Sequence, residues 1–384
     1  VNAENSGINI WGGRYNAINE CNIIINTIND EIVEGEQAEK DQMRGEALFL
    51  RALFYHDLAR VYGYEPGREV NGFNASVVLK LTPTFDLADV EDLQRSTNEQ
   101  VYTQIESDLL AAIPLLPTVA AGSEGVRFAN ADAAKLLLAR VYLYWNKKPE
   151  AANYAQQVIV GDGSDLVDSA DYYESWDDSA NPFHPESLFE SEIKSLDSNT
   201  VDGANNSLHS LTMNNSGGSQ FIVVASEELV AEIGSALEPD GDTLDVRHTL
   251  LHPEPLGMEF EKWRGLGETS FMENIPILRL SEAYLIAAEA LGAGAGDTFL
   301  DALREQRGLP PSTATLDNVL RERRIEFMAE GHRWFDLKRL GRDIPKPADA
   351  GVPALSYQDF KILPRIPQSE IEISELLVQN PGYN

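Results

Sequence analysis

One cysteine, Cys21, stands among 384 residues. A lone Cys permits no internal disulfide and no cysteine-based zinc site, and says little about compartment. No apolar run approaches the roughly 18 residues that a membrane-spanning helix requires. Phe221 to Ala225 is among the longest such runs. The chain opens at Val1 without a basic and then apolar leader, so a signal peptide is expected to be absent or already removed. Basic residues are scarce: 30 Lys and Arg, only 10 of them Lys, face 62 Asp and Glu, for a formal net charge of −32. Affinity for phosphate comes from clustered Lys and Arg, so this balance argues against a nucleic-acid partner. It argues equally against a basic face resting on anionic lipid. Two readings of the acid excess stay open. One is halophilic, a high-salt habitat where salt screens self-repulsion. The other is an ordinary acidic surface with no particular meaning.

Apolar residues make up 43% and aromatics 8%, as in a folded globular chain rather than a disordered acidic tail. A chain of this length buries a sizeable core without staples. Helical periodicity dominates its two ends. From Gln42 to Gly63 the positions Met43, Ala47, Leu50, Phe54, Leu58 and Val61 recur at steps of three and four, with Gly63 placed as a C-cap. Tyr15 to Ile28 reads as a shorter helix, and the two as a hairpin across the acidic loop Glu31 to Glu36. Asn98 to Ile113, Asn130 to Trp145 and a helix opened by Pro149 follow. The Ala133–Tyr142 and Pro149–Ala155 segments resemble a degenerate tetratricopeptide unit.

Gly161 to Thr269 differs, being rich in Gly, Asn, Ser, Asp and Pro with scattered aromatics. Ordered loops this long are usually functional. Short strands are expected at Leu188 to Ile193 and Phe221 to Val224. Helices are expected to resume at Pro276, with a break at Gly292 to Gly296. Asp297 and Asp317 are placed to cap the next two helices, the second running from Asn318 to about Leu340. The tail from Pro345 reads as Pro-rich and mostly extended.

Three C-terminal segments together are specific. They are Pro276 to Leu291 followed by Arg307-Gly308-Leu309-Pro310, then Glu322 to Arg339, then Leu363 to Ile371 closing with Gln379-Asn380-Pro381-Gly382-Tyr383. In this order and spacing, and with Arg44 to Tyr55 upstream, they resemble the SusD/RagB family of nutrient-binding outer-membrane lipoproteins. The resemblance implies an all-α fold: tetratricopeptide-like helical pairs forming a scaffold, with a loop-rich middle segment carrying a few short strands. It implies one SusD-like domain over 1–384, with a helical-pair scaffold at 1–160, a ligand-binding segment at 161–275 and C-terminal helices and tail at 276–384. It also implies no catalysis, but capture of oligosaccharide, or in some members peptide, for a SusC-like TonB-dependent transporter. An acidic all-α glycoside hydrolase is the enzyme alternative. Family members carry an N-terminal lipidated Cys, absent here, so outward-facing attachment to the outer membrane is expected only through a segment missing from this chain. Cys21 lies inside a helical pattern and is not that residue.

The remaining motifs weigh as follows. In Glu322–Arg339, the pairs Arg323/Glu326, Glu330/Arg333 and Asp336/Arg339 suit a helix face, Trp334 and Phe335 pack inward, and Gly331 permits close helix approach. A row of carboxylates along a helix is no acid/base pair across a cleft. Ser191-Glu192-Ile193-Lys194 matches a Ser-x-x-Lys nucleophile pattern but lacks its partner motifs. His248 and His252 are four apart, yet Pro253 follows and no helix stripe supports them, so structural histidines are the better reading. No cofactor is expected; Ca²⁺ is the one candidate, at the oxygen-rich turn Glu238, Asp240-Gly241-Asp242 and Asp245, where a solvated acidic turn is the better reading. Sugar rings stack their apolar faces on aromatic rings, while amides, carboxylates and guanidinium groups bond the hydroxyls. On that ground Tyr172, Tyr173, Trp176, Asp177, Asn214, Trp263 and Arg264 are the candidate ligand residues. Isolated aromatics in loops more often anchor the loop onto its scaffold.

Overall fold

The helical stripes at both ends of the chain fold as their spacing predicts. The structure, a computed structural model, describes residues 9–31, 33–161, 165–194, 207–214, 219–235, 244–264, 272–347 and 351–383. The chain divides into two compact units. One comprises Val1–Pro117, Arg140–Lys147 and Trp334–Asn384, the other Thr118–Ala139 and Lys148–Arg333. Among the described residues, no helix is long and apolar enough to cross a membrane.

The first unit is built on α1 (Trp11–Thr27), α2 (Gln37–Tyr62) and α3 (Asn98–Ala112). α2 packs against both of the others. A buried ion pair ties all three: Arg51 grips Asp108 with two hydrogen bonds of 2.8 and 2.7 Å and donates a third, of 2.8 Å, to Asn22. α2 ends at Gly63, which is extended rather than left-handed. Its last carbonyls are satisfied by Lys338, which donates to Arg60 O and Gly63 O and pairs with Glu65 at 3.0 Å. Positive charge at a helix C-terminus is favourable there. The tail is more structured than expected, since α12 (Gln368–Ile373) interrupts it. Asn380 then donates to Tyr62 O and Pro364 O.

α4 (Ala131–Tyr144) and α5 (Lys148–Ile159) match their expected spans. In the second unit, α5 packs on α8 (Leu280–Leu291), and α8 on α9 (Asp297–Gln306) and α10 (Leu316–Glu326). Between these lie α6 (Leu208–Thr212) and α7 (Glu227–Ile233). β1 (Ser187–Ser191) forms at the first expected strand and pairs antiparallel with β4 (Ile275–Arg279). Residues 276–279 are therefore strand, not helix, and α8 starts at Leu280. Periodicity alone cannot separate a short apolar strand from a buried helix turn. The second expected strand, 221–224, does not form; its backbone bonds instead to Ser210 O and Leu211 O. A hairpin that the sequence did not announce, β2 (Leu251–Glu254) with β3 (Gly257–Phe260), lies nearby in the chain.

The capping positions also shift. α9 opens after Gly296, and Asp297 instead accepts the Ala314 N–H at 2.6 Å. Thr315, not Asp317, caps α10 by accepting the Asn318 N–H. The expected helix to Leu340 is two helices, α10 and α11 (His332–Arg339), because Ala329 (φ 62°) and Gly331 (φ 80°) are left-handed. Nothing lies within 4 Å of a Cβ built at Gly331, so that glycine serves backbone conformation and not close helix approach. Trp334 and Phe335 are half-buried, and Arg60 lies 4.3 Å from the Phe335 ring centre.

Gly308 closes α9 with φ 75°, and its N–H bonds to Glu305 O. A Cβ there would meet Leu244 O at 2.5 Å. The turn sets the direction of the preceding residue, Arg307. Gly308→Ala is expected to lower unfolding free energy by about 1–3 kcal/mol, as forced strain and overpacking do. Urea denaturation measures it, and an unchanged midpoint contradicts this account of the turn.

Candidate functional site

A network of charges sits largely in the interior of the second unit. Glu326, at the end of α10, is fully buried and meets Arg307 at 3.0 Å, Arg279 at 3.2 Å and Arg247 at 3.2 Å. Those guanidinium groups hold its carboxyl well below the usual carboxylate range against the opposing effect of burial. Arg307 and Arg279 also share Glu186, at 2.8 and 3.1 Å. Glu330 pairs with Arg279 at 2.7 Å and with Lys262 at 2.5 Å. Lys262 further donates to the carbonyl of Glu326, capping α10. Asp245 and Glu322 pair with Arg247, and Glu322 also with Arg304. Five cations thus face five carboxylates. Of the helix-face pairs expected from the sequence, Asp336–Arg339 forms at 2.9 Å. Glu326 and Glu330 pair with cations from distant segments, and Glu330 lies outside both helices.

This network decides where the aromatics of the middle segment go. Tyr172, Trp176 and Trp263 are all buried, at 0%, 4% and 2% exposure. Arg307 covers the Tyr172 ring at 4.4 Å, and Lys262 covers Trp176 at 4.4 Å. Trp263 meets Trp176 edge to face at 5.9 Å and donates to Ala329 O. These rings anchor the middle segment on the charged core.

The outward partners are their sequence neighbours. Tyr173 is half-buried, with the Arg264 guanidinium 4.1 Å from its ring centre. Arg264 pairs with Asp177 at 2.6 Å and reaches Glu174 at 3.4 Å. Burial alone would lower the Arg264 pKa, but Tyr173 and Asp177 outweigh it and raise it, so the cation persists. Tyr173 donates its hydroxyl to Glu261 at 2.8 Å. The exposed Asn214 lies farther along the same unit, bonded to Glu254 and Glu259. The structure thus joins Tyr173, Asp177 and Arg264 directly and keeps Tyr172, Trp176 and Trp263 beneath. The expected acidic turn at 238–242 lies outside the described residues; its neighbour Asp245 is engaged by Arg247.

Below this surface, a cavity of about 10 Å³ is lined by Asp178, Glu190, Glu273, His184 and Trp176. Burial pushes the Glu190 carboxyl up to about 8, Glu273 to about 7 and Asp178 to about 6. Burial also lowers the His184 pKa well below its usual value, so the ring is neutral. A second concavity, unforeseen from sequence, belongs to the first unit. It encloses about 320 Å³ between Trp11, Tyr15, Val90 and Ile373, with Glu91 and Asp92 among its polar groups. Its residues come from three segments distant in sequence, so no local motif announces it.

This architecture is that of a scaffold of packed helical pairs. Residues 1–143 match the family described as "Starch-binding associating with outer membrane", and residues 258–383 match the SusD family. A solved SusD superfamily protein from Bacteroides vulgatus is 31% identical over 98% of this chain and 85% of its own, with a TM-score of 0.81. The chain belongs to the SusD family. SusD-like protein P2 of Formosa agariphila is 24% identical, over 97% of this chain and 80% of its own length. A solved "Laminarin binding SusD-like protein" covers 97% of this chain and 85% of its own at a TM-score of 0.71 and 24% identity.

The three raised carboxyls give the fold a pH signature. The unfolded chain releases these protons near pH 4, whereas the fold holds them until about pH 6 to 8. The stability they confer is full below pH 4 and is lost as pH rises through that window. Urea stability is expected to fall from pH 5 to pH 8, and Glu190→Gln to remove up to about 1.4 kcal/mol per pH unit of that slope. A variant with the wild-type slope contradicts the assignment.

Proposed function

We propose that the protein captures extracellular oligosaccharide without catalysis and passes it to a TonB-dependent, SusC-like outer-membrane transporter. A lipid anchor outside this chain would hold it, facing outward, on the outer membrane. The observation that carries the reading is the Tyr173–Arg264–Asp177 cluster, in the middle segment of a SusD-family chain. A half-buried aromatic and a guanidinium beside a carboxylate offer both halves of sugar recognition. The laminarin-binding relative with this fold supports a glycan over a peptide.

The glycoside hydrolase alternative needs two carboxylates facing a substrate-sized cleft. Among the described residues, the carboxyls with the most raised pKa surround a cavity of about 10 Å³, too small for a sugar ring. Their protons serve the fold.

Calorimetry against a panel of β-glucan, α-glucan and peptide ligands tests the reading. One glycan class is expected to bind without turnover. Arg264→Ala is expected to weaken it about 10- to 100-fold, as loss of a charged hydrogen-bond donor does. Tyr173→Ala is expected to act in the same direction. Binding of peptides only, or hydrolysis of any oligosaccharide, contradicts the proposal.

A further inference from the structure

The β2–β3 hairpin and the turn that follows it carry a group of donors outside the Tyr173–Arg264–Asp177 cluster. The hairpin register sets His252 opposite Glu259. Side chains two residues apart on a strand share a face, which brings Glu254 beside His252. His252 Nδ1 stands 3.4 Å from one oxygen of Glu259 and 3.6 Å from one of Glu254. One donor atom each from His252, Glu259 and Glu261 lie within 4.8 Å of one another.

These separations exceed those of a good hydrogen bond, about 2.7–3.0 Å. The 3.4 and 3.6 Å separations match the edge of a coordination shell, since two donors about 2.1 Å from a tetrahedral ion stand roughly 3.4 Å apart. The carboxylates are also held from outside. Glu259 accepts the Asn214 N–H at 2.7 Å through the oxygen turned away from the imidazole, and Glu254 accepts the Asn214 side-chain amide at 2.7 Å likewise. Glu261 accepts the Tyr173 hydroxyl at 2.8 Å. Outer contacts of this kind orient ligands at metal sites.

We propose that His252, Glu259 and Glu261, with Glu254 at the edge, bind a divalent transition-metal cation of the zinc class. The imidazole nitrogen selects such an ion over Ca²⁺ or Mg²⁺, which prefer oxygen alone. The site borders the proposed glycan cluster, because Tyr173 orients Glu261, but its donors are distinct from Tyr173, Arg264 and Asp177.

Titration of the untagged, chelator-treated chain with ZnCl₂ by calorimetry tests it. One equivalent is expected to bind. His252→Ala, at a side chain 55% exposed and so tolerant of truncation, is expected to weaken binding at least tenfold. His248→Ala is expected to change nothing, because His248 Nδ1 is engaged by Asp245 O at 2.7 Å. CaCl₂ at equal concentration is expected not to displace the zinc. Absence of saturable heat, equal affinity in His252→Ala, or displacement by CaCl₂ overturns the proposal.

Discussion

Glu326 has no access to water, and its two carboxylate oxygens meet the guanidinium groups of Arg247, Arg279 and Arg307. Each of these charges would be costly to bury alone. Together with Glu186, Glu330, Lys262, Asp245, Glu322 and Arg304, they satisfy one another in fixed geometry. The network draws on segments more than a hundred residues apart, since Glu186 and Arg307 form one of its pairs. It also ends α10, because Lys262 and Arg279 both donate to the terminal carbonyl of Glu326.

The surface proposed to bind glycan inherits its position from this core. Tyr172 and Trp176 lie flat beneath Arg307 and Lys262, so the short turn carrying them is fixed. Tyr173 and Asp177, one residue along from each, then have one way to face. Arg264 follows Trp263, which is anchored to Ala329 O in the break between α10 and α11. The proposed cluster, drawn from loops, thus rests on buried ion pairs rather than on regular structure.

Much of the scaffold was legible in the sequence. The stripes of α2, α3, α4, α5 and α8 announced themselves because apolar residues recur at steps of three and four, although α4 and α8 are buried almost all round. The family resemblance in the C-terminal segments was also correct. The strand at 275–279 was not legible, because five apolar-rich residues leading into a helix look like its first turn. Nor was the break after Glu326, because a left-handed Ala329 carries no local signal and its carbonyl is met by Trp263 from a distant segment. Composition marked the middle segment for ligand chemistry, and its aromatics were singled out by type. Which ring points inward depends on the positions of Arg307, Lys262 and Arg279, and all three lie far away in sequence. The His252–Glu259 juxtaposition needed the hairpin register, which a helix-based spacing argument could not supply.

The account stands or falls on the charged core, and Glu326→Gln tests it most directly. The variant keeps the shape of the side chain and removes the charge that three arginines share. Urea denaturation followed by tryptophan fluorescence reads the result, because Trp176 and Trp263 pack beside the network. A loss of about 3–5 kcal/mol is predicted, the cost of leaving buried charges without their partner. A loss below about 1 kcal/mol would show that the network is not what holds the second unit together.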